Sequence, residues 1–235
     1  MLTERQKLIL ERVVEEYIRH AQPVSSHVIA EEYDFDAGPA TVRNELMALE
    51  ENGYLAQPHT SSGRVPTDKG YRFYVNSIVA RQTREREQIY TILADIVRIK
   101  TEEQAMFAEL ARAVAIFSQN AVLSGPARSR ALFRAGINEA LRQPELADSD
   151  TRQHFGRVID SFEDNMNELY DELEEGSPAV FIGRENPILG ARGFGMVAAR
   201  YRLPAHEGVV VILGPKRMDY ERSFSVLQAL TRLLD

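Results

Sequence analysis

Leu10, Val13, Val14, Tyr17 and Ile18 recur at helical spacing behind Thr3 and Gln6, a pair able to form a capping box, and predict a first helix over about 3–20. Ala21-Gln22-Pro23-Val24 interrupts the pattern. Ser25 or Ser26 can cap a short second helix carrying Val28, Ile29 and Tyr33. Asp34 to Pro39 reads as a turn, with Pro39 suited to the first turn of a third helix. That helix places Val42, Leu46 and Leu49 on one face and ends at Asn52-Gly53. "YLAQ" and "RVP" read as two short strands joined through "PHTSSG", and Thr67 caps a fourth helix with Tyr71, Tyr74 and Ile78 on one side. Three helices, a hairpin and a further helix predict a winged helix-turn-helix over residues 1–80.

Beyond it the period changes little at first. Ile89, Ile92, Ile96, Ile99, Glu103, Met106, Leu110, Ala113 and Phe117 follow alternating three- and four-residue steps, which predicts one long helix over 83–118. The pattern fits a helix packed on its own domain or a seam between two chains. Helix signals follow around 128–142 and more strongly over 150–174, where Phe155, Val158, Ile159, Phe162, Met166, Leu169 and Leu173 share a face. "AVFIG", "GFGMVAARY" and "GVVVILG" read as three strands, and the chain closes on a helix bearing Phe224, Leu227, Leu230 and Leu233. The expectation is an α+β protein in three stretches: the winged helix at 1–80, a connecting helix at 81–118, and an α+β domain at 119–235.

Composition narrows the functions available. With 44% hydrophobic and 27% charged residues among 235, the chain has the makeup of a globular protein able to bury more than one core. It holds no cysteine, so disulfides, thiolate metal sites and a cysteine nucleophile are excluded. No apolar run approaches the ~20 residues of a membrane span, and the start Met1-Leu2-Thr3-Glu4 begins no signal peptide, so a cytoplasmic protein without membrane contact is expected. The net charge of −7 argues against indiscriminate coating of nucleic acid. Even residues 1–80 hold twelve Asp/Glu against eight Lys/Arg, so any nucleic-acid contact must rest on a local patch. Residues 59–72 offer one, with Arg64, Lys69 and Arg72 against Asp68.

The third helix supplies the chemistry that such a patch would serve. With Val42, Leu46 and Leu49 inward, Thr41, Arg43 and Asn44 lie on other faces near its N-terminal half, where a recognition helix meets base edges. Arg can pair bidentately with guanine and Asn with adenine. An ordinary solvated helix face would carry the same residue types. In the hairpin, Gly63 allows a turn, Thr60, Ser61 and Ser62 offer hydroxyls and N–H groups to phosphates, and Arg64 can reach a phosphate or a minor groove. Candidate DNA contacts are therefore Ser25, Ser26, Thr41, Arg43, Asn44, His59, Thr60, Ser61, Ser62, Arg64, Thr67 and Lys69.

Several of these stretches resemble a known family. "LTERQKLIL", "VVEEYI", "PVSS", "PATVRNELMALEENGYL" and above all "QPHTSSGRVPTDKGYRFYV" are similar to the DNA-binding domain of the HrcA family of bacterial heat-inducible transcription repressors. "QPEL" at 143–146, "IGRENP" at 182–187 and "GPKRMDY" at 214–220 extend the resemblance to the C-terminal half. It implies a repressor of chaperone operons that binds an inverted-repeat operator in double-stranded DNA, a GAF-like C-terminal domain, and an active state that depends on the chaperonin. Family members usually have a longer middle with an inserted dimerisation domain. Here "SQNAVLSGPARSRALFRAGINEALRQPEL" passes almost directly between the two parts of the GAF-like domain, which is therefore expected in truncated form. With that insertion reduced, Ile89, Ile92, Ile96, Ile99 and Leu110 become the candidate homodimer seam.

Catalysis finds little support. The histidines at 20, 27, 59, 154 and 206 form no metal-ligand pair at helical spacing, and "GFGMVA" and "GPKRMDY" lack the glycine spacing of phosphate-binding loops. Lys216 and Arg217 could meet an anion, or simply a local carboxylate. No cofactor, metal or enzymatic activity is expected. Two alternatives to the repressor are a winged-helix regulator whose GAF-like half senses a small molecule and a winged helix used only for protein contact, against which the hairpin residues speak.

Overall fold

In the computed structural model the chain divides into two compact units, Met1–Arg81 and Gln82–Asp235. The structure describes residues 2–33, 38–59, 62–81, 87–99, 103–129, 131–202 and 207–234. The stretch 81–118, expected to stand between two domains, belongs almost wholly to the second unit.

The first unit follows the order α1 (Glu4–His20), α2 (Ser26–Glu32), α3 (Pro39–Glu51), β1 (Leu55–Ala56), β2 (Val65–Pro66) and α4 (Asp68–Ala80). It is a winged helix-turn-helix, and its boundaries follow from the caps. The Thr3 hydroxyl oxygen accepts from the Gln6 N–H while the Gln6 side chain accepts from the Thr3 N–H, so the capping box closes α1 at its start. Ser25 and Thr67 cap α2 and α4 in the same way, accepting from the N–H groups of Val28 and Gly70. Gly53, at φ 74°, ends α3 in the left-handed region that glycine tolerates, and the Tyr54 N–H returns to the Leu49 carbonyl at 2.9 Å. Ile9, Leu10, Val13 and Val14 of α1 bury against Ile29, Val42, Leu46, Leu49, Leu55, Tyr71, Tyr74, Val75 and Ile78. Each fully buried aliphatic side chain there contributes roughly 1.5–3 kcal/mol.

The second unit is built on one antiparallel sheet in the order β4-β3-β7-β6-β5. Its strands are β3 (Ala121–Pro126), β4 (Phe133–Ala135), β5 (Ala179–Ile182), β6 (Phe194–Arg202) and β7 (Glu207–Pro215). The helices are α5 (Glu87–Ile99), α6 (Glu103–Ser118), α7 (Ile137–Leu141), α8 (Ser149–Glu172) and α9 (Tyr220–Leu234). Register puts Leu123, Val211 and Ala198 side by side, and Val122, Ile212 and Val197 on the neighbouring rungs facing the other way. The first set belongs to a core completed by Phe155, Phe162 and Leu169 of α8. Across the sheet, α6 packs on β3, β4 and β7, and α9 packs on β6. This is the α+β arrangement expected, with two strands more than the three read from the sequence.

One expectation is corrected. Residues 83–118 do not form one long helix: α5 and α6 are separate helices that pack on each other, and both pack on α9. Ile89, Met106, Leu110 and Ala113 of the apolar series are buried in that packing. Ile89 and Leu110 lie in the unit's own core, as does Leu93, which the seam omitted.

Candidate nucleic-acid interface

The recognition surface begins with how firmly α3 is held. Val42, Leu46 and Leu49 are buried, and Gln6 of α1 donates to the Glu45 carboxylate at 3.0 Å. The opposite face is open. Thr41, Arg43 and Asn44 are exposed, and Arg43 has no hydrogen bond or ion pair among the described residues. A helix pinned on one side and carrying exposed donors on the other is preorganised to read a groove.

The wing lies alongside. Leu55 pairs with Pro66 and Ala56 with Val65, and the hairpin is tied back to the chain before α2 by a two-way bridge. The Val24 N–H donates to the Arg64 carbonyl at 2.9 Å, and the Arg64 N–H returns to Val24 at 2.8 Å. Gly63 sits beside this bridge with no positive φ. Its role differs from the turn expected of it: a Cβ there would stand 2.4 Å from the Val24 carbonyl oxygen. Only glycine lets the two backbones approach. Gly63→Ala should therefore destabilise the first unit by about 1–3 kcal/mol. Hydrogen exchange should show the Val24 and Arg64 amides losing protection, and unchanged protection would mean that the bridge tolerates the methyl.

Arg64 also meets a carboxylate of its own unit. Its Nε lies 2.8 Å from the Glu50 carboxylate, and its side chain is only 16% exposed. The guanidinium ties the wing to the C-terminal half of α3 by an ion pair. Thr67 likewise turns inward: its hydroxyl donates to the Gly53 or Tyr54 carbonyl, at 2.7 and 3.1 Å. Lys69 donates to the Asn52 carbonyl at 2.8 Å and lies over the Tyr54 ring at 4.2 Å. Both residues finish the α3 terminus through these contacts.

The remaining candidates lie around the same groove. Ser25 caps α2, and Ser26 is its first residue. His59 is exposed, and the Ser62 hydroxyl lies 3.0 Å from the His59 backbone nitrogen and 2.7 Å from its carbonyl oxygen. Thr60 and Ser61 fall outside the described residues. Val24, Ser25, Arg43, Met47, Glu50 and Arg64 are among the residues lining a depression of about 470 Å³ between α3 and the wing. Met47 was not among the sequence candidates, although its outward position follows from the same helical phase that buried Val42 and Leu46. Farther back, Tyr33 donates to Glu16 at 2.9 Å, and burial followed by that bond pushes its phenol up from its ordinary range.

In the second unit, two of the family-like motifs meet each other. Arg217 of "GPKRMDY" forks onto Glu145 of "QPEL" at 2.5 and 3.3 Å and reaches Gln143 at 2.9 Å. Asn186 of "IGRENP" donates to the carbonyls of Gly183, Ala191 and Phe194. The anion that Arg217 could have met is thus a local carboxylate. Of the proposed dimer seam, Ile92 is 43% exposed, Ile96 is half-buried, and the Ile99 side chain lies outside the described residues. Among the described residues no cluster of His, Asp or Glu could hold a metal ion, and no helix is long and apolar enough to cross a membrane.

Residues 1–78 match the family described as winged helix-turn-helix transcription repressor, HrcA DNA-binding, and residues 73–224 match HrcA protein C terminal domain. The chain belongs to the HrcA family. Among relatives named heat-inducible transcription repressor HrcA, that of Acetivibrio thermocellus is 29% identical over 92% of this chain and 59% of its own length. That of Thermobifida fusca is 32% identical over 78% of this chain and 54% of its own length. The matched part is thus little more than half of these HrcA relatives. The Thermodesulfovibrio yellowstonii relative, 26% identical, aligns over 338 positions that take in 100% of this chain and 97% of its own. A long internal stretch of that HrcA protein therefore has no counterpart here. A solved structure titled a hypothetical protein shares the fold, with a TM-score of 0.79 at 21% identity over 99% of this chain and 98% of its own.

Proposed function

We propose that this HrcA-family chain is a non-enzymatic transcription repressor that binds an inverted-repeat operator as a homodimer. Its regulated genes belong to the heat-shock and chaperone class, and the chaperonin governs how much of the protein is in the active folded state. The observation that carries the DNA-binding part is the exposed Thr41–Arg43–Asn44 face on a helix whose other side is locked into a core, with the wing beside it. Ser25, Ser26, His59, Thr60, Ser61 and Ser62 supply phosphate contacts in this reading. Arg64 acts by holding the wing on Glu50, and Thr67 and Lys69 by finishing α3. Two-fold symmetry of the protein would match two half-sites of the operator.

The test is a titration of an inverted-repeat duplex against a scrambled one at two salt concentrations. Arg43→Ala should cost roughly 1–3 kcal/mol of operator binding and relax discrimination at one base pair per half-site. Undiminished affinity and selectivity would leave Arg43 a solvated surface residue.

A second reading, control by a small molecule in the GAF-like half, is favoured by one observation. An open cavity of about 810 Å³ lies beside β4, with Arg112, Ile116, Arg134 and Ile137 among its lining. The sheet face under α8 is filled by apolar side chains, so the space is at the sheet edge. A metabolite that shifts the thermal midpoint of the protein and its operator affinity together would favour this reading over chaperonin control.

A further inference from the structure

Met47 is the one large apolar side chain on the outward face of α3, and it is 45% exposed. Nothing in the fold requires it there. Val42, Leu46 and Leu49 already fill the inward face, and a solvated position on that helix would favour a polar residue. Its phase is informative. Ala40, Arg43, Asn44 and Met47 stand at i, i+3, i+4 and i+7, one stripe along the side opposite the core. Helices that lie in a major groove read bases through such a stripe. Met47 also lines the depression shared with Arg43, Arg64 and the start of α2.

Polar groups on this stripe can address base donors and acceptors. One major-groove feature they cannot reward is the thymine C5-methyl, the only apolar group a base edge presents there, and an apolar side chain gains by covering it. A thioether with three rotatable bonds adapts to that small target without a fixed geometry. We propose that Met47 is a specificity-determining residue that packs on a thymine methyl, one turn along the groove from the bases met by Arg43 and Asn44. This rests on the DNA-binding reading above and adds to it a preference for A·T or T·A at one defined position of each half-site.

The experiment first enriches a bound duplex from a random-sequence pool using the full chain. Each thymine in that duplex is then replaced by uracil, which removes the methyl and leaves pairing intact. Affinities are measured by fluorescence anisotropy at fixed salt. For the wild-type protein, uracil at one position per half-site should weaken binding roughly threefold to fivefold, the scale of burying one methyl group. Met47→Ala should be indifferent to that replacement, and Met47→Leu should keep the sensitivity. Because the side chain is outside the core, the thermal midpoint of both variants should match wild type. A wild type indifferent to every thymine-to-uracil change, or a sensitivity that survives in Met47→Ala, would overturn the assignment while leaving DNA binding intact. Failure to enrich any duplex would overturn the DNA-binding reading itself and this inference with it.

Discussion

Arg217→Ala should lower the stability of the second unit by about 2–4 kcal/mol. The guanidinium is 9% exposed and its partner Glu145 is 31% exposed, so the loss falls below that of a fully buried pair but well above a surface one. Removing the fork leaves the Glu145 carboxylate and the Gln143 amide oxygen without their partner. The bond joins two loops far apart in the chain, one after α7 and one before α9, so its loss should loosen both. Arg217→Lys should recover only part of the effect, because a point charge cannot make the two-pronged contact. Replacing both partners at once, Arg217→Met with Glu145→Leu, should cost less than Arg217→Ala alone. Urea unfolding of the full chain, with hydrogen exchange to assign the loss to the second unit, decides it. If the single variant stays within a few tenths of a kcal/mol of wild type, the pair is no more than surface decoration.

The same contact shows where sequence reasoning reaches its limit. Helix starts at Thr3, Ser25 and Thr67 were legible because capping is local: the donor lies three residues from its acceptor. The wing strands were legible for the same reason, since Gly and Pro punctuate short apolar runs there. Arg217 and Glu145 are 72 positions apart, and Arg64 and Glu50 meet only once the hairpin has folded over α3. No periodicity announces such partners. This is why Arg64 and Lys69 read as free cations in the sequence and prove to be engaged in the fold. β3 was missed for another reason. It runs between β4 and β7 with helices over both faces, so Ala121 to Gly125 are all buried and the alternation that marks a half-exposed strand is absent. β4 is three residues long, too short to carry a pattern.

The charge balance can now be placed in space. A net charge of −7 would repel a polyanion if it were spread evenly. In the first unit, Glu50 is answered by Arg64, Glu16 by Arg19 and Glu11 by Arg81. These pairs leave Arg43 as an uncommitted cation on the α3 stripe among the described residues. A surface of this kind attracts DNA weakly at long range and depends on short-range complementarity. That arrangement favours sequence selectivity over general affinity.

Weak attraction by one winged helix makes the proposed dimer decisive. Joining two recognition units should raise operator affinity by about 10²–10⁴ through effective concentration, without any new contact to a single half-site. The structure narrows where the joint can lie. Ile89 and Leu110 are buried in their own unit and are unavailable. Ile92, at 43% exposure, and half-buried Ile96 remain from the proposed seam, with Tyr90 beside them at 37%. A lysine at both isoleucines would place two charges where a partner helix is proposed to pack, and like charges facing across a two-fold axis repel. Ile92→Lys with Ile96→Lys should therefore give monomers by light scattering coupled to gel filtration, with operator affinity reduced by about 10²–10⁴. Weak binding to a single half-site should persist, because the winged helix is untouched. If Ile96→Lys disturbs its own unit, which circular dichroism would reveal, Ile92→Lys alone carries the test from a more exposed position. A wild-type monomer, or a dimer unchanged by the variants, would return α5 to packing within its own unit and move the search for the joint to the sheet edge at β4 or β5.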